Sequence, residues 1–104
     1  MPIMNYVKTS GKIVVQGRIL NGHHGTIVME INDVPIHTSG SVVTHTFPHD
    51  FNFQENRVTI SAQINPMSAA PEAIRVNIDD DGQPASKVAT AEEHSVNVLL
   101  NIHS

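Results

Sequence analysis

Between Val58 and Ile64 the chain reads Val-Thr-Ile-Ser-Ala-Gln-Ile, so that Val58, Ile60, Ala62 and Ile64 alternate with Thr59, Ser61 and Gln63. A period of two puts one row of side chains on a core and the other in water, which is the pattern of a half-buried β-strand. Just upstream, Gln54-Glu55-Asn56 makes a short polar turn, and Phe47, Phe51 and Phe53, the only phenylalanines, gather within a few residues. The aromatic weight of the core is expected here, against the first residues of that strand.

The same period recurs along the chain. Ile13, Val15, Gly17 and Ile19 oppose Val14, Gln16 and Arg18; Ile27, Met29 and Ile31 oppose Thr26, Val28 and Glu30. With Asn21-Gly22-His23-His24-Gly25 between them, these two runs are expected to form a hairpin. Asn32-Asp33 is a two-residue reversal of types that tolerate positive φ, and Pro35, which has no amide hydrogen, places the short segment after it at a sheet edge. Ser41 to Phe47 and Ile74 to Ile78 are further extended runs. Val96, Val98, Leu100 and Ile102 give a last, central strand, while Met1 to Gly11, with Ile3, Tyr6 and Val7, is a short edge strand or a loose arm. The stretch 83–93 carries no clear period; strand, loop or one helical turn all remain open there. About seven strands, with turn signals at a spacing of ~8 to 12 residues, make an all-β antiparallel sandwich, and no long helix has room.

Composition bounds the function classes. The chain of 104 residues is one domain, able to bury a single core without a disulfide or a structural metal. Its 39% apolar content contains no run near the ~18 residues that a membrane helix needs, so membrane insertion is not expected. A net charge of −4, with six Lys and Arg scattered along the chain, argues against nucleic acid, which requires a concentrated basic surface. The absence of cysteine removes disulfides, thiolate metal sites and cysteine nucleophiles. The first residues, Met-Pro-Ile-Met-Asn-Tyr, show no basic stretch followed by an apolar one, hence no signal peptide is expected in them.

Four short motifs in order carry a resemblance. Val15-Gln16-Gly17-Arg18-Ile19, then Met29-Glu30-Ile31-Asn32-Asp33-Val34-Pro35-Ile36, then Ser39-Gly40-Ser41-Val42, then Phe53 to Ala62 resemble the strands and turns of bacterial immunoglobulin-like modules, which occur in strings on surface and secreted proteins. The likeness spans residues 12–78. Asp33 and Glu55 stand where that family usually has glycine, and the tail from Gln83 has no counterpart in it. The resemblance implies an immunoglobulin-like sandwich and a non-catalytic module for spacing, adhesion or accessory binding, on a surface, secreted or virion protein. It implies an extracellular or cell-surface location, a protein or carbohydrate partner, and no catalytic residues.

Candidate sites are few. Asn77, Asp79 and Asp81 offer oxygen ligands at alternate positions before Gly82, the opening of a calcium loop. The EF-hand count would then need a Glu where Val88 stands, so Glu92 or Glu93 would have to swing in; the alternative is a hairpin tip turning on Asp81-Gly82 with solvated carboxylates. Seven histidines invite a transition metal. Yet His23 and His24 should diverge as loop neighbours, and His45 and His49, four apart on extended chain, would stand ~13 Å apart. His45 shares a row with Val43 and Phe47 and is expected to be a half-buried, hydrogen-bonded histidine. No serine lies in a Gly-x-Ser-x-Gly elbow; Ser39 and Ser41 flank a turn, and adjacent His49 and Asp50 should face apart. The chain is therefore expected not to be an enzyme and to need no cofactor unless calcium binds. The loops 21–25 and 65–71 are the expected partner contacts. The alternative is a metal-dependent domain, built on calcium or on a small histidine-based metalloenzyme site.

Overall fold

The computed structural model describes residues 2–8, 12–64, 72–90 and 94–103. Among them are nine strands: β1 (Ile3–Val7), β2 (Ile13–Ile19), β3 (Gly25–Ile31), β4 (Val34–Ser39), β5 (Val42–Phe47), β6 (Val58–Ile64), β7 (Glu72–Asp80), β8 (Gln83–Thr90) and β9 (Ser95–His103). They form two packed sheets, β1-β9-β6-β3-β4 and β5-β2-β7-β8. Every pairing is antiparallel except that of β1 with β9.

The strand that organises the sequence is also the middle of the larger sheet. β6 lies between β9 and β3, and its row Val58, Ile60, Ala62 and Ile64 is at most 3% exposed. The facing rows of β2 and β7 bury Ile13, Val15, Ile74, Val76 and Ile78 completely. At Gly17 a Cβ would sit 2.8 Å from Ile60 Cγ2 of the other sheet, so hydrogen is the only side chain that fits without displacement. The β9 row from Val96 to Ile102 is buried as its alternation requires.

Only two connections stay within a sheet, β3–β4 and β7–β8. Both are two-residue turns with positive φ at both positions, Asn32-Asp33 (52°, 66°) and Asp81-Gly82 (52°, 86°). This is the backbone hand that matches strand twist. The hairpin expected between the runs 12–19 and 26–31 does not form. Asn21 and Gly22 do make a tight turn at φ 57° and 73°, closed by the His23 amide on the Leu20 carbonyl. But β2 already has β5 on one side and β7 on the other, so the chain leaves through residues 23 and 24 and begins β3 in the opposite sheet.

Nine strands replace the expected seven for two reasons. The Pro35 segment pairs fully enough to count as β4, at the sheet edge where its missing amide hydrogen costs least. Residues 83–90, left open by sequence, pair with β7 along their whole length. The period was hidden because β8 is an edge strand whose core-side row is Ala85, Lys87 and Ala89, opposite Ile78, Val76 and Ile74. Only Ala89 of these is buried, and Lys87 is the inward-aimed edge charge that discourages another strand from adding there.

Candidate binding surfaces at the β4–β5 edge and the 48–57 loop

Edge strand β4 of one sheet faces edge strand β5 of the other. The tight reversal at Ser39-Gly40-Ser41 carries the chain between them, with the Ser39 hydroxyl accepting the amides of Ser41 and Val42. His37 pairs with inward-facing Met29 and so points toward the other sheet, as does His45 beside Val15. The result brings His37 Nε2 to 3.0 Å from His45 Nδ1 across the open side of the sandwich. His45 is half-buried and stands edge-on to Phe47, ring centres 4.6 Å apart. Burial and then the neighbouring His37 lower its pKa from 6.5, which keeps the ring neutral and able to share that hydrogen bond.

Phe47 continues the contact to Phe51 and Phe53, at 4.7 and 5.0 Å, so the three phenylalanines do form one cluster. That cluster anchors the loop 48–57 from below. From above, Asn52 Oδ1 accepts the amides of Gln54 and Glu55, and Asn56 Nδ2 returns to the Asn52 carbonyl. The loop is tied sideways to the β3–β4 turn: Asn32 Oδ1 accepts the Arg57 amide, Asn32 Nδ2 donates to Asn56, and the Arg57 guanidinium pairs with Asp33.

A loop held this way has two clefts beside it. One, of about 300 Å³, places Lys8, His49, Asp50 and His103 around Phe51. The other, of about 510 Å³, lies between β1 and β9 on one side and the 48–57 loop on the other. There Ile3 and Leu99 are register partners on β1 and β9, and Phe53 closes the floor; Asn56, Arg57 and Asn101 supply polar rims. Ile3 is 46% exposed, an apolar side chain left in water beside amide and guanidinium donors.

The expected calcium ligands fall on the β7–β8 hairpin. Asn77 and Asp79 point away from the core, Asp81 occupies the turn, and Asp79 Oδ1 accepts the Gly82 amide at 2.7 Å. The middle carboxylate, Asp80, turns inward, is fully buried and accepts the Tyr6 hydroxyl at 2.9 Å. Burial, that bond and the charges of Asp80 and Asp79 together raise the Tyr6 pKa above 10.0. The three adjacent carboxylates are thus divided between core, turn cap and solvent. Among the described residues no three His, Asp or Glu side chains gather as a metal would require. Glu92 and Glu93, like the expected contact loop 65–71, lie outside the described residues.

The other histidines do not join this pair. His23 is buried and His24 exposed, so the neighbours do diverge; His49 and Asp50 are both exposed, on a turn rather than a strand. Sequence spacing missed the partner of His45 because it looked along one strand. The usable signal was symmetry about a turn: residues 37 and 45 are equidistant from Ser41, the last residue of the reversal. No protein-family model, curated protein or solved structure matches this chain.

Proposed function

We propose that the chain is a non-catalytic binding module, an immunoglobulin-like sandwich in the broad sense of two packed, largely antiparallel sheets, carried by a surface, secreted or virion protein. The observation that carries the reading is the groove over Ile3, Leu99 and Phe53, rimmed by Asn56, Arg57 and Asn101. An exposed Ile3 and a half-buried Leu99 beside amide and guanidinium donors suit a protein segment: the apolar floor takes one or two side chains, and the rim fixes backbone carbonyls. A carbohydrate would use the same donors, but the groove lacks the exposed aromatic ring on which a sugar would stack. The loop beneath it is braced at both ends, so little order has to be imposed on binding.

A displayed random-peptide library and a glycan array, each probed with the purified chain, test this. Peptide ligands are expected whose binding falls at least tenfold on Arg57→Ala or Leu99→Asn, while Lys87→Ala leaves it unchanged. Ligands insensitive to both substitutions, or confined to the glycan array, would reject the groove as the binding surface.

A further inference from the structure

We infer that His37 and His45 form a two-ligand site for an imidazole-preferring divalent transition metal such as zinc, nickel or copper. The pair stands independently of the groove, on the opposite side of the five-stranded sheet's strand order. Two imidazole nitrogens bound to one ion at about 2.0 to 2.1 Å lie about 2.8 Å apart at a right angle and about 3.4 Å apart at the tetrahedral angle. His37 Nε2 and His45 Nδ1 are 3.0 Å apart, inside that interval.

The two ligands differ in freedom. His45 is held edge-on by Phe47, and β5 is fixed to β2 on its other side. His37 is exposed on the outer strand of its sheet, and its ring is already tilted 50° from that of His45. Rotation of His37 about its own side-chain bonds turns a shared N–H···N bond into two lone pairs converging on an ion. The proton between the rings relocates to the far nitrogen of the imidazole that carried it, so two lone pairs are freed with no net change in bound protons. The remaining coordination positions face water on the exposed side, which leaves the site open to a partner's ligand or a small chelate. Calcium and magnesium, which take oxygen ligands, find nothing here.

The structure also gives the site a mechanical consequence. His37 and His45 belong to the edge strands of different sheets, so one ion would add a second tie between strands that the 39–41 reversal already joins at one end. Binding to the folded state alone raises the melting temperature by mass action.

The test is a thermal melt of the whole chain after chelation, with zinc, nickel and calcium added separately in excess. Zinc and nickel are expected to raise the midpoint by about 2 to 5 °C, with no change in calcium. The rise should vanish in His37→Gln, in His45→Gln and in the double variant, and persist in His24→Gln. Substoichiometric copper added to the unsubstituted protein provides a second measurement that does not depend on variants folding. Its paramagnetic broadening should reach the ring protons of His37 and His45 before those of the other five histidines. Broadening that begins elsewhere, a rise that survives the double substitution, or no rise with either metal would overturn the proposal.

Discussion

Replacing Gly17 by alanine adds one methyl group against the facing sheet, and its cost follows from the contacts. The new Cβ would lie 2.8 Å from Ile60 Cγ2, 3.2 Å from Ile27 Cδ1 and 3.3 Å from Val43 Cγ2. Carbon atoms pack best at about 3.5 to 4.0 Å, so the Ile60 methyl must retreat by about 0.7 Å or more. It cannot swing aside freely, because Ile60 is β-branched, wholly buried and on the central strand. Overpacking of this kind costs about 1 to 3 kcal/mol. Against it, alanine restricts the unfolded chain and returns about 0.4 to 1 kcal/mol. The net expectation is a loss of up to about 2.6 kcal/mol, read as a lower urea midpoint at unchanged m-value by far-ultraviolet circular dichroism. Ile60→Ala removes the offending methyl and alone should cost about 2 to 5 kcal/mol. In the double variant the Gly17→Ala methyl occupies part of the vacated space, so the two losses should fall short of their sum by about 1 kcal/mol. A stabilising Gly17→Ala, or additivity with Ile60→Ala within about 0.5 kcal/mol, would refute the claim that hydrogen is required there.

Other perturbations separate the turns, the edge and the buried carboxylate. Asn32→Ala should cost about 1 to 3 kcal/mol in urea unfolding, since it puts alanine at φ 52° and removes both bonds that brace the 48–57 loop. Asp33→Gly should change stability by less than about 1 kcal/mol in the same assay, because relief at φ 66° offsets loss of an exposed ion pair with Arg57. Because the folded-state pKa of His45 lies below 6.5, the unfolded chain binds more protons as pH falls. The stability tied to His45 is complete above that value and declines as pH drops through it toward the folded-state value; His45→Gln should flatten the urea midpoint between about pH 7.5 and about pH 5. Tyr6→Phe leaves a buried carboxylate short of one donor and should cost about 1 to 3 kcal/mol at neutral pH, measured by thermal or urea unfolding.

Much of the secondary structure is legible because alternation and turn chemistry are local. Val58 to Ile64, Ile13 to Ile19 and Ser95 to His103 each bury one row, and each shows that row in the sequence. Asn32-Asp33 and Asp81-Gly82 are legible as reversals because few residue pairs accept positive φ at both positions. β8 was not legible, since a polar edge strand exposes nearly everything and therefore shows no period. Of the candidate surfaces, the phenylalanine cluster at 47–53 was visible and the groove was not: its floor joins Ile3, Phe53 and Leu99 from three distant segments. The carboxylate run at 79–81 was visible as chemistry, but its division among turn, core and water was not.

What the sequence determined by itself is the material of a two-layer β protein: which residues alternate, where the chain can reverse, and which row of each strand must leave water. These follow from backbone sterics and from the burial of apolar area, both set within a few residues. Which sheet each strand joins was decided only in the tertiary structure. Asn21-Gly22 turns the chain as its residues dictate, yet β2 and β3 part because β5 and β7 fill both edges of β2. The meeting of His37 with His45 belongs to the same level, for it exists only where the edges of two sheets come face to face. Strand pairing is a choice among distant partners whose hydrogen bonds are chemically alike. It is made by the summed fit of the whole core, which no single stretch of the chain encodes.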